Sequence, residues 1–187
     1  MIDSRTPEDT RNLVDEYKGS EVSDIALQMA EKSFEFHIAI ENLQHDFNIG
    51  SIVRSANAFN VGGVHIIGKR HWNKRGAMST EKYLAVYYHA DAGEFVDWAS
   101  THAFEIIGVD NVEGSVNLSN TDLPKKCVLV FGQEGPGISV EIQQVCTKLI
   151  AVEQFGSTRS VNVGAAAAIV MYEWVRRNHL ETDNKKL

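Results

Sequence analysis

The chain has 187 residues, of which 43% are hydrophobic, and its formal net charge is −7. This length supports one domain with a full core but is too short for two comfortable ones, and the negative charge argues against a protein that coats itself in nucleic acid. The longest apolar stretch, residues 163–175, falls short of the ~20 residues that span a bilayer, and the N-terminus lacks a secretory signal, so we expect a cytoplasmic protein. Cys127 and Cys146 show no metal-ligand spacing, so we expect free thiols and no metal.

Three segments are predicted along the chain. Residues 1–20 form a loose, acidic leader with little apolar content, because they lack the spacing of a packed helix or strand. Residues 21–180 form a single α/β domain, and residues 181–187 form a tail. No internal repeat or low-complexity tract suggests a second domain.

Hydrophobic spacing predicts helices and strands that alternate along this domain. Helices are predicted for residues 21–35, 48–61, 92–102, 139–147 and 160–178. Strands are predicted for residues 36–43, 64–68, 104–110, 127–132 and 148–154. Continuous apolar strands between helices are typical of a mostly parallel sheet with helices on both faces, which binds ligands at the carboxyl ends of its strands.

The strand at 127–132 runs into a glycine-rich loop, "GQEGPGIS". A phosphate-binding loop would carry a lysine that reaches the phosphates, and this loop has no lysine. The dinucleotide fingerprint also fails, because its glycine spacing is reversed here and the carboxylate of Glu134 would face the pyrophosphate. A polar, neutral or cationic ligand fits better, and an ordinary strand-to-helix turn fits the same residues equally well.

Two other loops at predicted strand ends carry polar residues. Asn48 is placed to cap the helix at 48–61, and Arg54 follows about one and a half turns later, where it could bind an anion or simply face solvent. Ser160 and Asn162 precede a run of four alanines that lets the backbone approach a ligand closely or packs as plain helix.

Residues 68–76, "GKRHWNKRG", form a basic segment in an otherwise acidic chain. Its cations would neutralise phosphates, and Trp72 would offer a face on which a base can stack. A solvated loop is the alternative. The predicted RNA-binding residues are Lys69, Arg70, Trp72, Lys74 and Arg75.

Together the three loops resemble the three motifs of the SpoU/TrmH family of SPOUT-class RNA 2′-O-ribose methyltransferases. The first motif, N-x-G-x-x-x-R-x-A, is matched by Asn48, Gly50, Arg54 and Ala56. The second, G-x-E-x-x-G-[LI], is matched by Gly132, Glu134, Gly137 and Ile138. The third, G-x-x-x-S-[LV]-N-V, is matched by Gly156, Ser160, Val161, Asn162 and Val163. The resemblance covers residues 36–178.

The resemblance implies an α/β fold with a deep C-terminal trefoil knot, a rare exception to unknotted topology. It also implies that S-adenosylmethionine is bound in the knot and that a homodimer shares its active sites between subunits. The residues expected to bind the cofactor, mainly through their backbone, are Gly132, Ile150, Val161, Val130 and Gly137. The residues expected to be catalytic are Arg54, Asn48, Glu134, Ser160 and Asn162.

Within this expectation, Arg54 is the family's candidate for removing the hydroxyl proton. Because arginine keeps its own proton above pH ~12, we favour a role in which Arg54 stabilises the developing 2′-oxyanion or pairs with a phosphate. Glu134 is expected to fix loop or subunit geometry. The sequence thus predicts methyl transfer to a ribose 2′-hydroxyl of tRNA or rRNA. A non-catalytic RNA-binding module is the alternative, and a nucleotide hydrolase or phosphotransferase ranks last because the chain lacks a phosphate loop.

Overall fold

The computed structural model describes residues 9–43, 48–158 and 160–181. Residues 1–8 of the predicted leader and residues 182–187 of the predicted tail lie outside the described residues, as do residues 44–47 of the first motif loop. Within the described part of the leader, residues 15–17 form a 3-10 turn, and the Tyr17 ring is buried.

Seven strands form one sheet in which neighbouring strands pair in parallel. The strands are β1 (His37–Asn42), β2 (Val64–Gly68), β3 (Val86–His89), β4 (Glu105–Val109), β5 (Val116–Asn117), β6 (Cys127–Phe131) and β7 (Lys148–Ala151). Their spatial order is β3-β2-β1-β6-β4-β7-β5. The parallel sheet confirms the prediction and follows from helical crossovers, which return the chain to the same edge before each new strand.

Helices cover both faces of the sheet, as predicted. They are α1 (Val22–Glu31), α2 (Ile49–Ala58), α3 (Ala92–Thr101), α4 (Val140–Val145) and α5 (Val163–Val175), and α5 continues as a π-helical turn, Arg176–Leu180. Helices α2 and α5 pack on one face, with Ile52 and Met171 in its core. Helices α3 and α4 pack on the other, with Phe95 and Ile142 in its core. This burial of each apolar helix face is the main force that holds the layers together.

A row of three histidines runs across adjacent strands beneath α3. His37 Nδ1 lies 2.9 Å from His65 Nε2, and His65 Nδ1 lies 2.9 Å from His89 Nε2. The Trp98 indole packs against this row, with its centre 4.1 Å from that of His65. We call these three side chains the histidine row.

Differences from the predicted elements are concentrated at edges and ends. Strands β3 and β5 lie outside the predicted set, because one has four residues and the other two, and both lie at sheet edges where burial leaves a weak pattern. The strand predicted for 148–154 ends at Ala151, and the last helix begins at Val163 rather than residue 160. Residues between these two elements line a cavity instead.

Helix α5 lies against α2, and the loop that precedes α5 faces the loop that follows β6. In the family that the chain resembles, these segments form the trefoil knot. The knot stays a prediction for this chain. Over the described ranges, no helix has both the length and the apolar character needed to cross a bilayer.

Candidate functional site

A cavity of about 300 Å³ opens at the carboxyl ends of β4, β6 and β7. Its walls come from four segments, residues 109–111, 132–137, 152–154 and 160–166. The carboxyl edge of a parallel sheet is where open α/β folds bind ligands, because the loops there diverge and leave a crevice. Two of the three motif loops therefore meet at one cavity, and the first motif reaches its rim through Asn48.

The glycine-rich loop after β6 forms one wall of this cavity with its backbone. Gln133 and Gly137 exchange two backbone hydrogen bonds, of 3.1 and 3.0 Å, which close the loop into a tight hairpin. Gly137 has a φ of +74°, in the left-handed region that favours glycine. A Cβ added to Gly132 would lie 2.1 Å from the carbonyl carbon of Gly137, so only glycine fits there. The loop is therefore a fixed hairpin rather than a plain strand-to-helix turn.

Three side chains from the three motifs meet beside the cavity. Asn48 Nδ2 donates to Glu134 Oε2 at 2.7 Å, and Asn162 Nδ2 donates to Asn48 Oδ1 at 2.9 Å. Asn162 Nδ2 also lies 3.5 Å from Glu134 Oε1. We call this arrangement the polar junction. It brings together residues that are 86 and 28 positions apart in the chain.

The helix-capping roles of the two asparagines in the junction differ from the prediction. Asn48 stands at the N-cap position of α2, but its side chain makes no capping hydrogen bond, because it is engaged in the junction. Asn162 caps α5 instead, since its Oδ1 accepts from the backbone N–H of Gly164 at 3.0 Å and of Ala165 at 3.2 Å. One side chain thus fixes both the start of α5 and the junction.

Arg54 lies on α2, six residues beyond Asn48, and Ser160 lies two residues before Asn162, and neither takes part in the hydrogen bonds that define the junction. Arg54 is exposed on α2, and among the described residues no hydrogen bond or ion pair holds its guanidinium. Ser160 is exposed and lines the cavity. An exposed, unpaired guanidinium on this helix remains available to an anion.

The residues predicted to bind a cofactor fall into two groups. Gly132, Gly137 and Val161 line the cavity. Val130 and Ile150 do not, because both side chains are fully buried inside the sheet. The Ile150 carbonyl already accepts the backbone N–H of Asp110 at 2.9 Å. Their side chains therefore do not line the cavity, and cofactor binding through the backbone at these two positions stays a prediction.

Two carboxylates that sequence reasoning missed hold the glycine-rich loop. Asp110 Oδ2 accepts the N–H of Ile138 at 2.8 Å, and Glu41 Oε2 accepts the N–H of Ser139 at 2.7 Å. The only sequence signal was an acidic residue at or just beyond the carboxyl end of an apolar strand. Because β1 and β4 are the neighbours of β6, the two carboxylates hydrogen-bond to the loop from both sides.

The basic segment 68–76 is brought against the first motif by a close glycine contact. A Cβ on Gly50 would lie 2.9 Å from Gly76 Cα and 2.8 Å from the backbone nitrogen of Ala77. Asn42, at the end of β1, anchors the other end of the segment by donating to the carbonyl of His71 at 3.0 Å. The four cationic side chains of the segment are all exposed, namely Lys69, Arg70, Lys74 and Arg75.

Trp72 does not fit the role predicted for it. Its side chain is only 4% exposed and belongs to the core beneath α2. The ammonium of Lys74 lies 5.8 Å from the centre of its ring. A nucleobase therefore has no free indole face to stack on, and the prediction of base stacking by Trp72 is wrong because its apolar area is worth more in the core.

The parallel sheet, the cavity at its carboxyl edge and the junction beside it define a ligand-binding α/β protein whose site is assembled from three loops. The model of the SpoU rRNA Methylase family matches residues 35–172. The chain belongs to this family, as the three motifs predict.

Individual relatives agree with this membership. An "Uncharacterized tRNA/rRNA methyltransferase" of Mycobacterium ulcerans is 29% identical over 147 residues, which is 75% of this chain and 46% of that protein. The chain thus spans about half the length of this curated relative. The tRNA (guanosine(18)-2′-O)-methyltransferase of Escherichia coli is 22% identical over 156 residues, covering 82% and 68% of the two chains.

A solved structure shows the same fold. The SpoU methyltransferase AviRb from Streptomyces viridochromogenes, in complex with its cofactor AdoMet, superposes with a TM-score of 0.71 at 24% identity. The match covers 81% of this chain and 64% of AviRb. The predicted α/β fold class is confirmed by this likeness.

Proposed function

We propose that the chain is an S-adenosylmethionine-dependent RNA methyltransferase that modifies a ribose 2′-hydroxyl of tRNA or rRNA. The observation that carries the proposal is the polar junction, which ties all three family motifs together at the rim of one cavity. The names of the Mycobacterium ulcerans and Escherichia coli relatives support tRNA or rRNA as the substrate class. Only the second of these names specifies the 2′-oxygen.

The cavity fits S-adenosylmethionine in size and in chemistry. Its volume of about 300 Å³ lies at the lower end of small-molecule pockets, which range from roughly 300 to 1,000 Å³. Gly132 and Gly137 keep side chains away from the wall, so that backbone donors and acceptors can reach the ligand. We expect Gly132, Gly137 and Val161 to hold the cofactor in this way.

The residues around the cavity would position and stabilise the reacting groups. Bound S-adenosylmethionine supplies a methyl group whose C–S bond breaks as the ribose 2′-oxygen gains the methyl and releases its proton. Asn48 and Asn162 hold the loops on which this alignment depends, and alignment is worth up to ~7 to 11 kcal/mol in favourable cases. Arg54 pairs with the developing 2′-oxyanion or with an adjacent phosphate, and Ser160 contacts the RNA at the rim of the cavity.

Arg54→Ala tests this mechanism. The variant should lose at least a hundredfold in turnover of labelled methyl groups into RNA while it binds S-adenosylmethionine within twofold of the wild type, because Arg54 is outside the cavity wall. Arg54→Lys is the matched control, and it should retain more activity if positive charge is what matters. Wild-type activity in Arg54→Ala would remove Arg54 from the mechanism.

Mapping the modified nucleotide tests the reaction itself. Transfer into total RNA followed by nuclease digestion should yield a 2′-O-methyl nucleoside. A methylated base would contradict the ribose assignment. RNA binding without any methyl transfer by the wild type would favour the non-catalytic RNA-binding module.

We also propose that the protein acts as a cytoplasmic homodimer whose sites draw on both subunits. Ile169 and Tyr172 on α5 are 43% and 50% exposed, which supports a partner at this helix. Mixing Arg54→Ala with Gly132→Val, each inactive alone, should restore part of the activity if Arg54 serves the cavity of the other subunit. No recovery in a dimer shown to exchange subunits would argue that each site is complete within one chain.

A further inference from the structure

Two carboxylates make nearly the same contact with the glycine-rich loop. Asp110 accepts the N–H of Ile138 at 2.8 Å, and Glu41 accepts the N–H of the next residue, Ser139, at 2.7 Å. Each comes from the carboxyl end of a strand next to β6. Because the two hydrogen bonds are so alike, substitutions at Asp110 and Glu41 can be compared. The comparison separates the anchoring of the loop from any effect of the carboxylate charge on a ligand.

Only one of the two carboxylates faces the cavity. Asp110 is half-buried and lines the cavity, whereas Glu41 is 1% exposed and lies away from its lining. The other oxygen of Asp110, Oδ1, accepts the backbone N–H of Asn111 at 2.8 Å. Both of these donors are neutral, so they orient the carboxylate without cancelling its charge.

The part of the cavity lining that the structure describes is acidic. Among the described residues, the lining includes Asp110 and Glu134 and no lysine, arginine or histidine. Glu134 accepts from the amide groups of Asn48 and Asn162 in the junction. A ligand in the cavity therefore meets negative charge in surroundings that are less screened than bulk water.

We propose that Asp110 makes the cavity select the positively charged sulfonium form of the cofactor over its neutral thioether product. This inference rests on the proposed function and deepens it. S-adenosylmethionine carries one more positive charge than S-adenosylhomocysteine, and the two are otherwise alike apart from the methyl group. A carboxylate at the cavity wall stabilises the first and not the second, so the product is released readily and inhibits the enzyme weakly.

Asp110→Asn and Glu41→Gln, measured by calorimetric binding of both cofactor forms, test the inference. In Asp110→Asn one oxygen still accepts the N–H of Ile138, so the loop keeps its anchor. Affinity for S-adenosylmethionine should fall about tenfold, and affinity for S-adenosylhomocysteine should change less than twofold. Glu41→Gln, which alters the same loop outside the cavity, should leave the ratio of the two affinities within twofold of the wild type.

The outcomes separate this inference from the proposed function. Equal losses for both ligands in Asp110→Asn would overturn the inference, since Asp110 would then contact a shared part of the molecules or only hold the loop. A wild type that binds neither ligand would instead overturn the proposed function.

A second measurement needs no variant. In the wild type, added salt should weaken S-adenosylmethionine binding more steeply than S-adenosylhomocysteine binding, because salt screens the charge that only the first ligand carries. The same salt dependence for both ligands would overturn the inference even if Asp110→Asn failed to fold.

Discussion

The polar junction and the histidine row are both chains of three hydrogen-bonded side chains, but they join different things in different surroundings. The junction lies at the rim of the cavity and ties loops together, with polar atoms that reach solvent. The histidine row lies under α3 and ties three strands together, and its central member, His65, is fully buried. The junction is therefore accessible to a ligand, whereas the histidine row can only stabilise the fold.

The two chains also differ in how pH affects them. The junction uses two amides, which do not titrate, and one carboxylate. The histidine row needs neutral imidazoles, each of which can donate from one nitrogen and accept at the other. Burial, helped by the neighbouring positive charge of His102 and Lys126, lowers the pKa of His37 to about 4. Burial, followed by repulsion from the neighbouring histidines, lowers the pKa of His65 to about 2. Acid should therefore destabilise the fold through the histidine row.

Among the changes that test this comparison, the largest effect should come from Asn162→Asp, which removes the junction's hydrogen bond and keeps the helix cap. The aspartate still accepts the N–H groups of Gly164 and Ala165, but it has no N–H to give and places a second negative charge beside Glu134. Turnover should fall about a hundredfold, since small misplacements of catalytic loops cost this much. The melting temperature should change little, because aspartate is a good N-cap. Asn120→Asp, at an exposed site, controls for the added charge. A large drop in melting temperature for Asn162→Asp would indicate that the junction stabilises the fold rather than aligning the reacting groups.

A smaller effect, on stability, should come from acid acting on the histidine row. The folded-state pKa of His65 lies below the unfolded value of ~6.5, so its stabilisation is present above pH ~6.5 and decreases as the pH falls. Between pH 7 and 5 the free energy of unfolding should drop by about 2 kcal/mol from His65 alone. Urea unfolding at several pH values measures this slope.

His65→Asn and His71→Gln are the matched variants for the pH slope. The first removes the buried imidazole and should flatten the slope, although it lowers stability at pH 7. The second removes an exposed imidazole and should leave the slope unchanged. Equal slopes in both variants would mean that the row does not set the acid response.

Next in size is the double substitution Lys74→Gln and Arg75→Gln in the basic segment. These exposed side chains flank the first motif, and their removal should weaken RNA binding about tenfold at low salt. The slope of log affinity against log salt should become shallower by roughly 0.7 to 0.9 for each phosphate that the variant no longer neutralises. Lys125→Gln is the control, because this exposed lysine precedes β6 at the amino end of the sheet, whereas the basic segment follows the carboxyl end of β2. An unchanged RNA affinity in the double variant would indicate that the basic segment is a solvated loop without a role in RNA binding.

The smallest effect on RNA should come from Trp72→Phe. Because the indole is buried, RNA affinity should change less than twofold, while the free energy of unfolding falls by about 1 to 2 kcal/mol from the space left in the core. A large loss of RNA affinity without a loss of stability would indicate that Trp72 stacks on a base despite its burial.

Most elements of the fold could be predicted from the sequence because they carry strong periodicity. The strand at 64–68 has the predicted bounds, and α3 ends one residue earlier than predicted. Strand β3 escapes prediction because it has only four residues and lies at an edge of the sheet, where partial burial leaves a weak pattern. The histidine row escapes for another reason, because its members are separated by 28 and 24 residues.

The candidate site could be predicted as three motifs but not as a geometry. The position of Asn48 by itself predicts a helix cap, and only the nearness of Glu134 shows that the side chain turns away from α2. The four cations around Trp72 in the sequence predict an exposed ring, whereas the chain folds the ring inward beneath α2.

By itself, the sequence determined the order of most helices and strands, the parallel sheet and the residues of the three motifs, because these depend on periodicity and on local residue types. The tertiary structure decided which distant groups meet: the junction, the histidine row and the two carboxylates on the glycine-rich loop. Hydrogen bonds and charges act over a few ångströms in space without regard to distance along the chain. Only the packing of the sheet and its helices therefore brings Asp110 to the wall of the cavity and leaves Glu41 outside it.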